Sequence, residues 1–194
     1  MSKRVGITGN IGAGKTTVCR EFERLGIPVY HADERAKRLM VEDDSLRQGI
    51  ISAFGAAAYT PTGLNRALLS QSVFGDPDRL AVLNGLVHPA VARDAEQWHA
   101  AQTGAPYTLH EAAIILEIGA EAHYDSLIVV DCPLPLRQQR VLARDGGSAE
   151  AFVARASRQW SDERKRAAAD HLIVNDGRSL LLPQVLQIDR RLRT

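Results

Sequence analysis

The sequence predicts an α/β protein with a doubly wound, five-stranded parallel sheet, and three observations lead there. An apolar run, Val5-Gly6-Ile7-Thr8, passes through a glycine-rich turn into a stretch of helical character from Thr17 to Leu25. Further short apolar runs suited to buried strands alternate with helical stretches down the chain. The turn itself, Gly9-Asn10-Ile11-Gly12-Ala13-Gly14-Lys15-Thr16, fits the spacing G-x-x-x-x-G-K-[ST], a loop whose backbone N–H groups cradle phosphates.

The elements follow in order. Ile27-Pro28-Val29-Tyr30 reads as a second strand ending at His31-Ala32-Asp33. With about twenty residues between strand starts, the two strands are expected to form a parallel pair joined by a crossover. Residues 34 to about 100 lose strand character. Helices are expected over 34–40, 45–54, 65–73, 77–86 and 90–101, with breaks at Gly55, Pro61-Thr62-Gly63, Gly75-Asp76-Pro77 and His88-Pro89. Strands are expected at 107–116 and 126–130, then a helix at 135–144, a break at Asp145-Gly146-Gly147-Ser148 and a basic helix at 150–169. A last strand at 171–174 and a closing helix at about 179–192 complete the alternation.

Composition narrows the class. With 194 residues, 45% hydrophobic, 24% charged and a formal net charge of +1, the chain reads as one soluble domain with no overall attraction to nucleic acid. No apolar run approaches the roughly 20 residues that cross a bilayer. The first four residues lead straight into a strand, so no signal peptide is expected and a cytoplasmic setting is. Cys19 and Cys132 stand in no metal spacing and are expected to be reduced and partly buried.

The glycine loop sets the chemistry. Its glycines let the backbone approach phosphate closely, and the helix beginning near Lys15 adds the positive end of its dipole. Lys15 would neutralise β/γ-phosphate charge, and the Thr16 hydroxyl would reach Mg²⁺. Asp33, just past a strand end, either faces the γ-phosphate and orients an acceptor hydroxyl or caps the following helix. Arg137, Arg140 and Arg144 are spaced three and four apart and so share a helical face; they either grip phosphate, with Arg140 and Arg144 favoured, or face solvent. Glu117 and Asp131 both follow apolar runs and compete for the role of a strand-end acid that helps to hold Mg²⁺. His88 reads as either a structural or a functional histidine. The histidines at 31, 99, 110, 123 and 171 form no metal spacing.

The ordered set of Gly9 to Thr16, His31-Ala32-Asp33, His88-Pro89, Glu117, Gln139-Arg140 with Arg144, Arg155 with Gln159, Lys165, Ala169-Asp170 and Asn175-Asp176-Gly177 resembles dephospho-coenzyme A kinase over nearly the whole chain. The resemblance implies a P-loop kinase fold like that of nucleoside monophosphate kinases. It divides the chain into a core (1–33, 102–139 and 167–194), a helical substrate-binding insertion (34–101) and a lid (140–166). It also implies ATP- and Mg²⁺-dependent phosphorylation of the ribose 3′-hydroxyl of dephospho-CoA, with ATP and dephospho-CoA as the small-molecule partners. Carried over by position, Asn10, Ile11, Gly12, Ala13, Gly14, Lys15, Thr16 and Thr17 would hold ATP together with Arg140, Arg144, Asn175 and Gly177. Lys15, Asp33 and Arg140 would be catalytic, and Asp33, His88 and Glu117 would lie on the acceptor side.

The chain departs from that pattern at four places. Asn10 stands where glycine is usual, Thr16 where serine is usual and His31 where aspartate is frequent, while the apolar pair before Glu117 lacks its proline. Two other readings share the loop: a P-loop kinase for a mononucleotide or small metabolite, and a nucleotide-dependent switch. Against the switch, the sequence has no Asn-Lys-x-Asp segment of the guanine-reading type.

Overall fold

The computed structural model describes residues 2–194. Its central sheet has five parallel strands: β1 (Lys3–Thr8), β2 (Val29–His31), β5 (Tyr107–Glu111), β6 (Ser126–Asp131) and β7 (His171–Val174), in the order β2-β5-β1-β6-β7. The first two strands are parallel, as expected, but they are not neighbours. β5 lies between them, pairing Val5 and Val29 with Leu109 on its two edges. A strand from beyond the helical insertion therefore fills the gap that the local strand–helix–strand spacing left open. β1 sits at the centre, and the fully buried Val5 and Ile7 explain its unbroken apolar run.

Helices cover the sheet. α1 (Lys15–Arg24) buries Val18, Cys19 and Phe22 on one face, and α9 (Leu181–Leu192) buries Val185, Ile188 and Leu192. Both faces join one core with Val5, Ile7, Leu109, Ile128 and Ile173. Cys19 and Cys132 are buried free thiols. Burial raises the Cys19 thiol pKa strongly, with Glu111 adding to the effect. α6 (Leu134–Asp145), α7 (Ala149–Ala156) and α8 (Asp162–Ala167) follow β6.

The chain divides into two compact units, 2–31 with 101–194 and 32–100. The second unit holds α2 (Ala32–Glu42), α3 (Asp44–Phe54), α4 (Arg66–Val73), α5 (Pro77–Ala100) and a small hairpin, β3 (Tyr59–Thr60) with β4 (Gly63–Leu64). Its own core gathers Leu39, Leu46, Ile50, Ala58, Leu69 and Ala90, and an Arg35–Asp94 ion pair ties α2 to α5. Asp43 and Asn65 cap α3 and α4 through their side chains.

Three expectations need correction. The helix break at His88-Pro89 is absent, because α5 runs through Pro89. Ala90 is buried beside Val87 and Val91, and that packing outweighs the loss of one helical bond. The strand expected at 107–116 stops at Glu111. Ile115 and Leu116 instead fold into turns and pack on Leu127 and Val129, so their apolarity marks a core contact rather than a strand. The basic helix expected at 150–169 is two helices, α8 being restarted by the Ser161 cap. The hairpin strands are too short to show an alternating pattern. Among the described residues, no helix is long and apolar enough to cross a membrane.

Candidate active site

The loop between β1 and α1 lies beyond the carboxyl end of the central strand, where open α/β sheets bind ligands. Ala13 N–H closes a turn on the Asn10 carbonyl at 2.9 Å. Two glycines are required on geometric grounds. Gly12 has φ 80°, and a Cβ there would meet the Arg137 carbonyl oxygen at 2.6 Å. Gly14 has φ 89°, and a Cβ there would lie 2.3 Å from the Asn175 Nδ2 atom. Lys15 opens α1 and donates from Nζ to the Gly9 carbonyl at 3.0 Å, while Thr16 and Thr17 are exposed in the first turn.

α6 and the segment after β7 bring two further residues to this loop. Arg140 donates from its guanidinium to the Asn175 carbonyl at 3.3 Å, to Asn175 Oδ1 at 3.2 Å and to the Cys132 sulfur at 3.3 Å. Asn175 then donates from Nδ2 to the Ala13 carbonyl at 2.7 Å. One buried amide therefore links the half-buried arginine to the glycine loop. Beside it is a cavity of about 450 Å³, lined by Pro133, Pro135, Leu136, Gln139, Asp176 and Arg178. Gly177 adopts φ 79° in the turn that follows Asn175.

Other expected residues are engaged elsewhere. Arg137 does not share a phosphate face with Arg140. It is 4% exposed, donates to the Cys132 carbonyl at 3.0 Å and pairs with Asp162 at 2.7 Å. Arg144 is exposed and paired with Asp145, which also accepts from Arg155. The three arginines thus grade from buried to exposed along α6. Glu117 accepts from the Trp160 N–H and from Lys165 Nζ, each at 2.9 Å. Lys165 is 1% exposed, and burial lowers its pKa against the opposing pull of Glu117. Asp131 accepts from Arg166 with both oxygens at 3.0 Å.

Asp33 is the second residue of α2, exposed, and its carboxylate makes no hydrogen bond or ion pair with described residues. The capping alternative therefore fails. His88 is half-buried within α5. His31 lies between Glu111 (3.0 Å) and Glu23 (3.1 Å), whose hydrogen bonds raise its pKa to about 9. It is a cation at neutral pH, which suits it poorly to ligate a metal.

Mg²⁺ fits this setting in one way. Asp131 closes β6, but Glu117 lies in a turn beyond β5 and not at a strand end; both are bound to cations of the protein, and the described residues contain no group of three or more His, Cys, Asp or Glu able to hold a metal. The exposed Thr16 hydroxyl remains, a hard oxygen donor next to Lys15. That agrees with an ion held mainly by nucleotide phosphates and water.

Sequence reasoning missed Asp162, Glu111 and the Cys132 carbonyl. Asp162 looks like any acid in a first helical turn, and nothing local marks its partners.

The dephospho-CoA kinase family model matches residues 3–180. The chain belongs to the dephospho-CoA kinase family. It is 45% identical to the dephospho-CoA kinase of Salinibacter ruber over 176 residues, covering 89% of this chain and 88% of that protein. A Thermus thermophilus crystal structure superposes with a TM-score of 0.86 at 33% identity, covering 98% of this chain and 97% of that one. The dephospho-CoA kinase of Campylobacter jejuni superposes with a TM-score of 0.72 at 25% identity, covering 100% and 98%. The fold is that of a P-loop kinase.

Proposed function

We propose that the chain transfers the γ-phosphate of ATP to the ribose 3′-hydroxyl of dephospho-CoA, giving CoA and ADP, the last step of coenzyme A synthesis, in the cytoplasm. The observation that carries this reading is the link from Arg140 through Asn175 to Ala13, which sets a guanidinium against the phosphate loop in a chain of this family.

The N–H groups of Gly12 and of Gly14 to Thr17 hold the phosphates, assisted by the dipole of α1, while those of Ile11 and Ala13 bond to Gln159 and to the Asn10 carbonyl and shape the loop. Lys15 exchanges its Gly9 carbonyl for phosphate oxygens, and Arg140 offsets charge on the transferring group. Phosphoryl transfer has a loose transition state, so positioning and charge neutralisation supply most of the rate. Mg²⁺ on Thr16 would supply further charge neutralisation when bound. Asp33, whose carboxylate has no protein partner among the described residues, orients the 3′-hydroxyl and takes its proton late. His88 stands on the acceptor side. The base of ATP occupies the cavity of Pro133, Leu136 and Arg178, bordered by Gly177. Within the segment 140–166 expected as a lid, motion is confined to the stretch between the Gly146-Gly147 hinge and the bonded Gln159, and the exposed Arg144–Asp145 pair opens readily to release Arg144 toward ATP.

The test follows ADP release from Mg-ATP with dephospho-CoA, AMP, UMP, CMP or no acceptor. Turnover with dephospho-CoA alone is expected. Turnover with a mononucleotide instead would overturn the substrate, and tight ATP binding without any acceptor-dependent turnover would favour a switch.

A further inference from the structure

Asn10 is an unusual residue for a phosphate loop, because its side chain faces inward. It is 5% exposed, and its Nδ2 donates to the Trp160 carbonyl at 3.2 Å and to Asp162 Oδ1 at 2.5 Å. Its own Oδ1 is buried without a hydrogen-bond partner among the described residues, a costly arrangement that a glycine would avoid. The next residue is held from the same side: Ile11 N–H donates to Gln159 Oε1 at 2.7 Å. Two consecutive loop residues are thus tied to three of the four residues 159–162.

That strap is fixed from behind. Glu117 accepts from the Trp160 N–H, so the Trp160 backbone donates to Glu117 and accepts from Asn10. Gln159 Nε2 donates to the Ala113 carbonyl at 3.3 Å, which also accepts from Lys165 Nζ at 3.1 Å. Asp162 is anchored by the buried Arg137 through its second oxygen at 2.7 Å.

We propose that Gln159 and Asp162 are positioning residues for phosphoryl transfer: the strap 159–162, anchored on Glu117, holds residues 10 and 11 of the phosphate loop in their binding shape before nucleotide arrives. The proposal rests on the loop being the ATP site. A loop ordered in advance does not draw its ordering entropy from the binding energy of ATP, and small displacements of a reacting phosphate lower rate sharply. Glu117 then acts through the strap and not on the acceptor.

The test uses the full chain with Gln159→Leu, Gln159→Glu and Asn10→Gly. Four quantities are read: amide exchange at Ile11 in nucleotide-free protein, equilibrium ATP affinity, kcat and KM for dephospho-CoA, and melting temperature. Gln159→Leu is expected to speed Ile11 exchange roughly tenfold and to weaken ATP binding and kcat roughly three- to tenfold each, leaving the KM for dephospho-CoA within about twofold. Gln159→Glu, which restores an acceptor, is expected to recover slow Ile11 exchange. Asn10→Gly is expected to act in the same direction as Gln159→Leu, with a smaller effect. Wild-type Ile11 exchange in both Gln159→Leu and Asn10→Gly would overturn the proposal. So would fast exchange with unaltered ATP affinity and kcat, or an equal loss for both substrates that tracks a lower melting temperature. If the wild-type chain fails to phosphorylate dephospho-CoA, the exchange and ATP-affinity measurements still decide the strap, while the substrate reading falls separately.

Discussion

In the α/β unit, the candidate residues are bonded to one another: Lys15 to Gly9, Arg140 to Asn175, Asn175 to Ala13, and residues 10 and 11 to the strap. In the helical unit, Asp33 stands exposed with no protein partner among the described residues. The difference separates two tasks. Holding a polyphosphate needs many donors fixed in advance, and fixed donors need partners. Orienting an acceptor hydroxyl needs a carboxylate whose lone pairs remain open until the acceptor arrives.

The comparison can be broken most sharply at Asp33. Asp33→Asn is expected to lower the transfer rate by roughly 10²–10⁴ with ATP affinity and melting temperature unchanged, because the side chain has no protein bond to lose. Near-wild-type turnover in a single-turnover assay would remove Asp33 from the reaction. On the α/β side, Lys15→Ala and Arg140→Ala are each expected to cost roughly 10²–10³ in kcat/KM for ATP. Asn175→Ala should reproduce part of the Arg140 loss, and the double variant should fall well short of the product of the two, since one link carries both effects. Independent, multiplicative losses in that cycle would show that Asn175 does not place Arg140.

Arg137, one helical turn from Arg140, tests the other side of the contrast. Its partner Asp162 would be left with an unpaired charge, so Arg137→Ala is expected to destabilise the fold by about 3–5 kcal/mol in urea unfolding. A variant of undiminished stability that binds ATP poorly would return Arg137 to the phosphates.

The smallest expected effect is at His31. Its folded pKa of about 9 lies above the ordinary value of 6.5, so the stability it adds is fully present below about pH 6.5 and disappears as pH rises through 9. Comparing unfolding midpoints of wild type and His31→Asn near pH 6 and near pH 10 should show a gap at the lower pH that narrows at the higher. A constant gap would mean that His31 is neutral in the fold.

What the sequence revealed follows the range of the interactions involved. The phosphate loop, β1 and β7 are legible because each depends on its own few residues: glycines at fixed spacing, or a short apolar run, buried throughout its second half in β1 and centred on the buried Ile173 in β7. The placement of β5 between β1 and β2 is not, since it depends on pairing across the whole helical insertion. Pro89 misled because tertiary packing overrode a local rule, and Ile115-Leu116 because apolarity does not distinguish a strand from a turn folded onto the core. At the site, Arg137 and Arg140 look equivalent in sequence. Only the position of Asp162, twenty-five residues beyond Arg137, tells the buried arginine from the one placed at the loop.

The empty place at Gly14 has a consequence for how this chain can change over generations. A side chain there would push aside Asn175, and Asn175 carries Arg140. Positions 14, 175 and 140 therefore form a chain of dependence: a lineage that adds a side chain at 14 displaces Asn175 and, through it, Arg140. A library randomised at position 14 and selected for growth on this enzyme should return glycine alone, whichever residues it offers at positions that face water.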